Sequence, residues 1–189
     1  ESIFAHTTGL NVVIPSGPYN TKGLLISAIR NPDPVIFMEP MRVYRAIKED
    51  VPEEAYTIPL GKAQLVQEGT DLTVISYGSM LKYTKEALEK SNYSAEIIDL
   101  LSIVPMDTEA IVNSVKKTGR CVIVHEAPKT CGFAAEIIAR INEKCFFSLE
   151  APIERVTGFD TALPFAKLEN YYIPDERRIL KAVNKVMKQ

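Results

Sequence analysis

Neither GxxxxGK[ST] nor GxGxxG occurs in the 189 residues, and only nine glycines are present from which to build a phosphate-cradling loop. The signatures of P-loop NTPases and of dinucleotide-binding Rossmann enzymes are therefore absent. There is no GxSxG elbow, and with only His6 and His125 a serine or cysteine triad has few candidate bases. Cys121, Cys131 and Cys145 are odd in number and lack CxxC spacing, which argues for small core hydrophobes in a reduced compartment rather than a disulfide framework. The longest apolar runs, such as "CVIV" and "PVIF", are strand length, far below the roughly 20 residues of a membrane span. Charge of one sign is also missing: 22 basic and 24 acidic residues give a net charge of -2 spread along the chain, so there is no electrostatic footprint for nucleic acid. The first residues, "ESIFAH", carry no initiator Met, basic segment or apolar signal region. The expectation is that the natural beginning, with any localisation signal, lies upstream.

What is present is ordinary globular composition, 46% hydrophobic and 24% charged. From Asn11 the order is an apolar run "NVVIP", a loop "SGPYN", a helix-like "TKGLLISAIR" and a second apolar run "PVIFMEP", which together read as one βαβ unit. Leu24, Leu25, Ala28 and Ile29 repeat on one helical face, Asn20 or Thr21 suits the cap, and Asn31-Pro32 stops the helix. A charged, proline-marked, poorly periodic connector follows from Tyr44 to about Leu60. Beyond it strands and helices alternate: "KAQLVQEG", "DLTVISYG", "MLKYTKEALEK", "SAEIIDL", "DTEAIVNSVKKTG", "RCVIVHEA", "GFAAEIIARINEK", "FFSLEAPIERVTG" and "PDERRILKAVNKVMK". Such alternation predicts an α/β fold with a mostly parallel sheet covered by helices on both faces. Asp107 is a predicted cap, Lys116 and Lys117 suit the negative end of that helix, and Gly119 its left-handed stop. The last helix, with Pro174, Asp175 and Glu176 at its start and an apolar stripe of Ile179, Leu180, Val183, Val186 and Met187, is expected to close the domain. The division is thus 1–43, a connector 44–60, and 61–189. Two strands and a helix bury too little to offset backbone ordering of roughly 1 to 2 kcal/mol per residue. The first piece therefore needs more chain or a partner, and apolar surface is expected on Val12 to Ile14 and Val35 to Phe37 unless a neighbour covers it.

Candidate chemistry is sparse. His125 follows "VIV" at the carboxyl end of a strand, where parallel sheets place ligands, and Glu126 adjoins it. The plainer reading is a polar strand end bonded locally or at a subunit contact. His6 in "IFAHTTG" fits the end of a helix, Glu39 a salt-bridged or solvated strand end, and Asp160 in "VTGFDTALPF" an Asx turn. Arg177, Arg178, Lys181, Lys185 and Lys188 describe the wet side of the final helix.

The strings "GLNVVIPSGPYNTKGLLISAIRNPDPVIFMEPMRVYR", "VPEEAYTIPLGKAQLVQEGTDLTVISYG", "VHEAPKTCGFAAEI" and "EAPIERVTGFDT", in that order, closely resemble the beta subunit of thiamine diphosphate-dependent 2-oxoacid dehydrogenases. The resemblance covers essentially the whole chain. It implies the end of a pyrimidine-binding domain at 1–43 and a transketolase-type carboxyl-terminal domain at 61–189, with the carboxylate that activates the aminopyrimidine and an active-site histidine lying upstream of Glu1. In the assembly so implied, a thiazolium ylid decarboxylates pyruvate or a branched-chain 2-oxo acid and the acyl fragment passes to a lipoyl group. Thiamine diphosphate with magnesium would belong to the intact assembly, and these 189 residues would be inactive alone. The implied partners are an alpha subunit, a second beta subunit and a dihydrolipoyl acyltransferase core, in the cytoplasm of a prokaryote or the mitochondrial matrix of a eukaryote. A potassium site of the family falls on Ala28, Asn31 and Asp33, where carbonyls at a helix end and a carboxylate suit a hard cation; an ordinary helix stop with a turn aspartate fits the same residues. Asp160 to Pro164 reads "DTALP" where the family commonly has "DTPFP". An assembly module without catalysis, or part of another transketolase-class enzyme, stays open beside the dehydrogenase reading.

Overall fold

The computed structural model describes residues 1–164 and 166–189; Phe165, in the "VTGFDTALPF" loop, lies outside the described residues. The element order is α1 (Ser2–Ala5), β1 (Asn11–Val13), α2 (Pro18–Arg30), β2 (Val35–Phe37), a 3-10 turn (Met41–Val43), β3 (Gln64–Gln67), β4 (Leu72–Ser76), α3 (Met80–Leu88), β5 (Ala95–Asp99) and β6 (Ser102–Val104). It continues with α4 (Thr108–Thr118), β7 (Cys121–Val124), α5 (Ala134–Cys145), a 3-10 turn (Phe146–Ser148), β8 (Glu154–Val156), a 3-10 turn (Ala166–Leu168), α6 (Glu169–Tyr172) and α7 (Glu176–Met187).

The larger sheet runs β3-β5-β4-β7-β8, parallel throughout except for the antiparallel edge strand β3. The expected α/β class, a mostly parallel sheet with helices on both faces, is what forms. Every residue of β4, β5 and β7 is buried, as strands covered on both faces must be. Ile75, Ile98 and Ile123 pack one face with Ile111, Val115 and Ile137 of α4 and α5. Val74, Ile97 and Val122 pack the other with Leu88, Ile179 and Val183 of α3 and α7. On the α4 side the Thr73 hydroxyl meets those of Ser114 and Thr118, each at 2.7 Å, so no polar atom of this trio is stranded in the core. The predicted helix ends hold: Asp107 accepts from the Ala110 amide at 3.2 Å, Gly119 is left-handed at φ 69, and Asp175 accepts from the Arg178 amide at 2.8 Å.

The smaller sheet, β2-β1-β6, differs from the sequence-based expectation. β6 is an unanticipated strand: after β5 the chain turns through Leu101, at φ 53, and pairs antiparallel with β1. A three-residue strand inside "DLLSIVPMD" has no room to show a period, so only its partner reveals it. Val12, Val13 and Ile14 are consequently buried, and the expected apolar surface there does not exist; β2 is half-buried. The neighbour that covers β1 is this same chain.

Three local expectations are also corrected. α2 begins at Pro18 after Gly17 with no side-chain cap, in place of Asn20 or Thr21, because proline at the first position omits an amide that needs no partner. Of its apolar stripe only Leu24 is buried, while Leu25 and Ile29 face outward. "FFSLEAPIERVTG" is a 3-10 turn and a short strand rather than one strand.

The connector is packed against α2. A Cβ on Gly23 would lie 2.7 Å from Ile58 Cγ1 and 2.9 Å from the Tyr56 ring, so glycine is what lets this stretch approach. The Ile58 amide donates to the Gly23 carbonyl at 3.2 Å, the Ser27 hydroxyl to the Ile58 carbonyl at 2.6 Å, and the Tyr56 ring stacks on Tyr19 at 4.6 Å.

Candidate functional site

The carboxyl ends of β1, β2, β4 and β7 converge on one cleft of about 530 Å³ between the two sheets. Its floor is apolar, from Ile14, Met38 and Pro40, and its polar groups are mainly the carboxylates of Glu1, Glu39, Glu126 and Glu169. Convergence of strand ends in an open α/β sheet is where such folds place ligands, because loops from several strands meet there.

Each polar group is held by a neighbour. The buried Tyr77 hydroxyl donates to Glu1 at 2.8 Å; burial and that carboxylate push the phenol pKa well above its usual value. The Ser79 hydroxyl donates to Glu126 at 2.7 Å. Arg42 lies 2.8 Å from Glu169 and reaches Asn170, tying the 3-10 turn before the connector to α6 across the mouth of the cleft. Glu39 is exposed and accepts from the Tyr44 hydroxyl.

His125 is behind Tyr77, its ring nearly parallel at a centroid distance of 6.0 Å. It is fully buried and neither ring nitrogen has a partner among the described residues, so the expected locally bonded strand end is not what the structure shows. Burial first, then the Arg155 guanidinium, push its pKa down to about 4, leaving a neutral ring at physiological pH. Gly132 presses on it: a Cβ there would come 2.7 Å from the ring and 2.4 Å from the Pro128 carbonyl.

The remaining predicted positions separate. His6 is exposed and caps the four-residue α1. In place of the expected Asx turn, the Asp160 carboxylate accepts from both the amide and the hydroxyl of Thr130 at 2.8 Å, clamping two loops and lowering its pKa. Arg178, expected on the wet side of α7, is half-buried; it donates to the Thr157 and Tyr172 carbonyls and stands 4.4 Å over the Phe159 ring. Nothing in the spacing of α7 marks Arg178 off from Arg177, so this brace was invisible to sequence reasoning.

Ala28, Asn31 and Asp33 lie together at the end of α2, away from the cleft lining. The Asn31 amide donates to the Ala28 carbonyl at 3.3 Å, and the Asn31 side chain accepts from the Asp33 amide at 2.8 Å. Asp33 is exposed, and no cluster of three His, Cys, Asp or Glu suited to a metal occurs among the described residues.

A diphosphate needs cations or free amides around it. Arg42 is the only basic side chain lining the cleft among the described residues, and it is already paired with Glu169. These residues do not fit the diphosphate end of thiamine diphosphate.

Residues 61–179 match the family described as "Transketolase, C-terminal domain", and residues 1–46 match "Transketolase, pyrimidine binding domain". The chain belongs to the transketolase C-terminal domain family. It is 52% identical, over 99% of its length, to the 2-oxoisovalerate dehydrogenase subunit beta, mitochondrial, of Dictyostelium discoideum, covering 51% of that protein. It is 48% identical, again over 99% of its length, to the pyruvate dehydrogenase E1 component subunit beta of Bacillus subtilis, covering 58% of it. The chain therefore spans about half the length of the curated relatives it matches. Among solved structures, "Split gene transketolase, inactive beta4 tetramer" superposes with a TM-score of 0.82 at 23% identity, over 99% of this chain and 60% of that one, a likeness of fold. No described helix is long and apolar enough to cross a membrane.

Proposed function

We propose that the chain is the carboxyl-terminal part of the beta subunit of a 2-oxoacid dehydrogenase, supporting thiamine diphosphate-dependent decarboxylation of pyruvate or a branched-chain 2-oxo acid. The observation that carries this is the 48% and 52% identity to two such beta subunits over 99% of the chain. We divide it into the end of a pyrimidine-binding domain at 1–43, a connector at 44–60 and a transketolase-type domain at 61–189; the family matches at 1–46 and 61–179 support that division. Thiamine diphosphate, held with magnesium by the longer assembly, supplies the electron sink for decarboxylation. This chain's own groups orient loops and exclude water around the cleft: Tyr77 on Glu1, Ser79 on Glu126, Arg42 on Glu169. Partners of this reading are an alpha subunit, a second beta subunit and the dihydrolipoyl acyltransferase core, in a prokaryotic cytoplasm or a mitochondrial matrix.

The intact alpha-beta pair should turn over either pyruvate or 3-methyl-2-oxobutanoate in a thiamine-dependent way, while the 189-residue chain alone should turn over neither. No thiamine-dependent turnover by the intact pair rejects the reading. The acidic, cation-poor cleft also favours a second reading, an assembly module; the acyltransferase's subunit-binding domain should then be retained by the whole chain in a pull-down, and loss of retention removes it.

The carbonyls of Ala28 and Asn31 with the Asp33 carboxylate are a proposed potassium site. The midpoint of thermal unfolding should rise when potassium replaces choline in the buffer, and Asp33→Ala should remove the rise. An equal midpoint in both buffers counts against it.

A further inference from the structure

The two sheets also meet beside the floor of the cleft, where a buried acid stands at the carboxyl end of β5. Asp99 is fully buried. One carboxyl oxygen accepts from the Ser16 hydroxyl at 2.9 Å, across 83 residues; the other makes no well-formed hydrogen bond among the described residues and has only the Leu101 amide near the carboxyl. Ser16 lies in the loop between β1 and α2, two residues after Ile14, whose amide donates to the Leu101 carbonyl at 2.8 Å. The side-chain bond from Ser16 to Asp99 thus links the loop after β1 of the smaller sheet to β5 of the larger one, next to the Ile14–Leu101 bond that extends the β1–β6 pairing.

We propose that Ser16 and Asp99 form a proton-operated clasp between the two sheets, closed while the Asp99 carboxyl is neutral and loosened when it ionises. A neutral carboxyl is tolerable in this setting with a single side-chain partner. A buried carboxylate with an unmatched oxygen is not, and the relief available is water. The route is open: Ser16, Gly17 and Gln64 line a cleft of about 470 Å³ beside the clasp.

No charge compensates the acid. The residues opposite Asp99 on the neighbouring strands are Gln64 of β3 and Ser76 of β4, both neutral. Lys82, Lys85 and Glu86 of α3 and Glu89 just after it, with Lys48 and Glu49 of the connector, face the cleft beside Ser16, and none bonds the Asp99 carboxyl. His125 lies beyond β4, just past the end of β7. Burial raises the Asp99 pKa to about 7, while the Ser16 hydroxyl and the Leu101 amide pull it back.

A folded value raised above 3.8 means the clasp is fully formed below that pH and weakens until the pH passes about 7. Hydrogen exchange of the whole chain, corrected for intrinsic rates, reads this locally. Protection of the Ile14 amide should fall by up to about tenfold per pH unit from pH 4 to 7 and then level off, while that of Val122, inside β7, does not follow. Asp99→Asn, which keeps an acceptor for Ser16 but cannot ionise, should abolish the pH dependence. Ser16→Ala should lower Ile14 protection at every pH. A carbon NMR titration of the Asp99 carboxyl in the unaltered chain tests the same point if the Asn variant fails to fold. A flat Ile14 profile, a parallel fall at Val122, an unchanged profile in Asp99→Asn, or an Asp99 titration in the ordinary carboxylate range each overturns the clasp.

Discussion

His125 is held by shape where hydrogen bonds are missing. Tyr77 covers one face of the ring and Gly132 runs against its edge, so the position tolerates no added volume. Gly132→Ala should therefore destabilise the fold by about 1 to 3 kcal/mol, because its methyl group meets the Pro128 backbone carbonyl as well as the ring. A lowered denaturant midpoint at unchanged m-value checks this, and an unaltered midpoint rejects the close-packing account. The sequence placed His125 at a strand end beside Glu126, which is where it lies. Its burial and its unpartnered nitrogens were not legible, since they depend on Tyr77 and Gly132 arriving from other segments. Asp160 and Arg178 teach the same point: their partners are 30 and 21 residues away.

Among the elements, β6 carries the most consequence for its length. It covers β1, and its Ile103 is fully buried in the cluster that also holds Val12, Ile14, Ile98 and Ile111, so one side chain joins both sheets to α4. Ile103→Ala should cost about 2 to 5 kcal/mol, measured by chemical denaturation, and should expose the β1 amides to exchange more than those of β7. A loss spread evenly over both sheets would show that β6 is not the suture. Long periodic elements such as α4 and α7 were readable with their caps because Asp107, Gly119 and Asp175 act within a few residues of themselves. Three-residue strands and the outward Leu25 and Ile29 of α2 were not, since burial there is decided by what packs alongside.

At the scale of the molecule, two buried groups titrate in opposite directions. The His125 pKa is lowered to about 4, so its contribution is complete above its unfolded value of 6.5 and is lost as pH falls toward 4. The Asp99 pKa is raised to about 7, so its contribution is complete below 3.8 and is lost as pH rises to 7. Between about pH 4 and 6.5 the two slopes offset one another. Asp99→Asn should unmask the histidine: unfolding free energy, relative to the unaltered chain, should rise with pH by up to about 1.4 kcal/mol per unit in that window. A difference that stays constant with pH would mean that Asp99 titrates normally in the fold.

Alternation of apolar strands with capped helices determined the α/β class by itself, and several long strings in order determined the resemblance, because both are written in near-neighbour residues. Which strand covers β1, how the connector lies on α2 and which acids lose their water were decided only by the tertiary structure. Those outcomes depend on segments tens of residues apart meeting in space, and burial, unlike propensity, belongs to the pair and not to either residue.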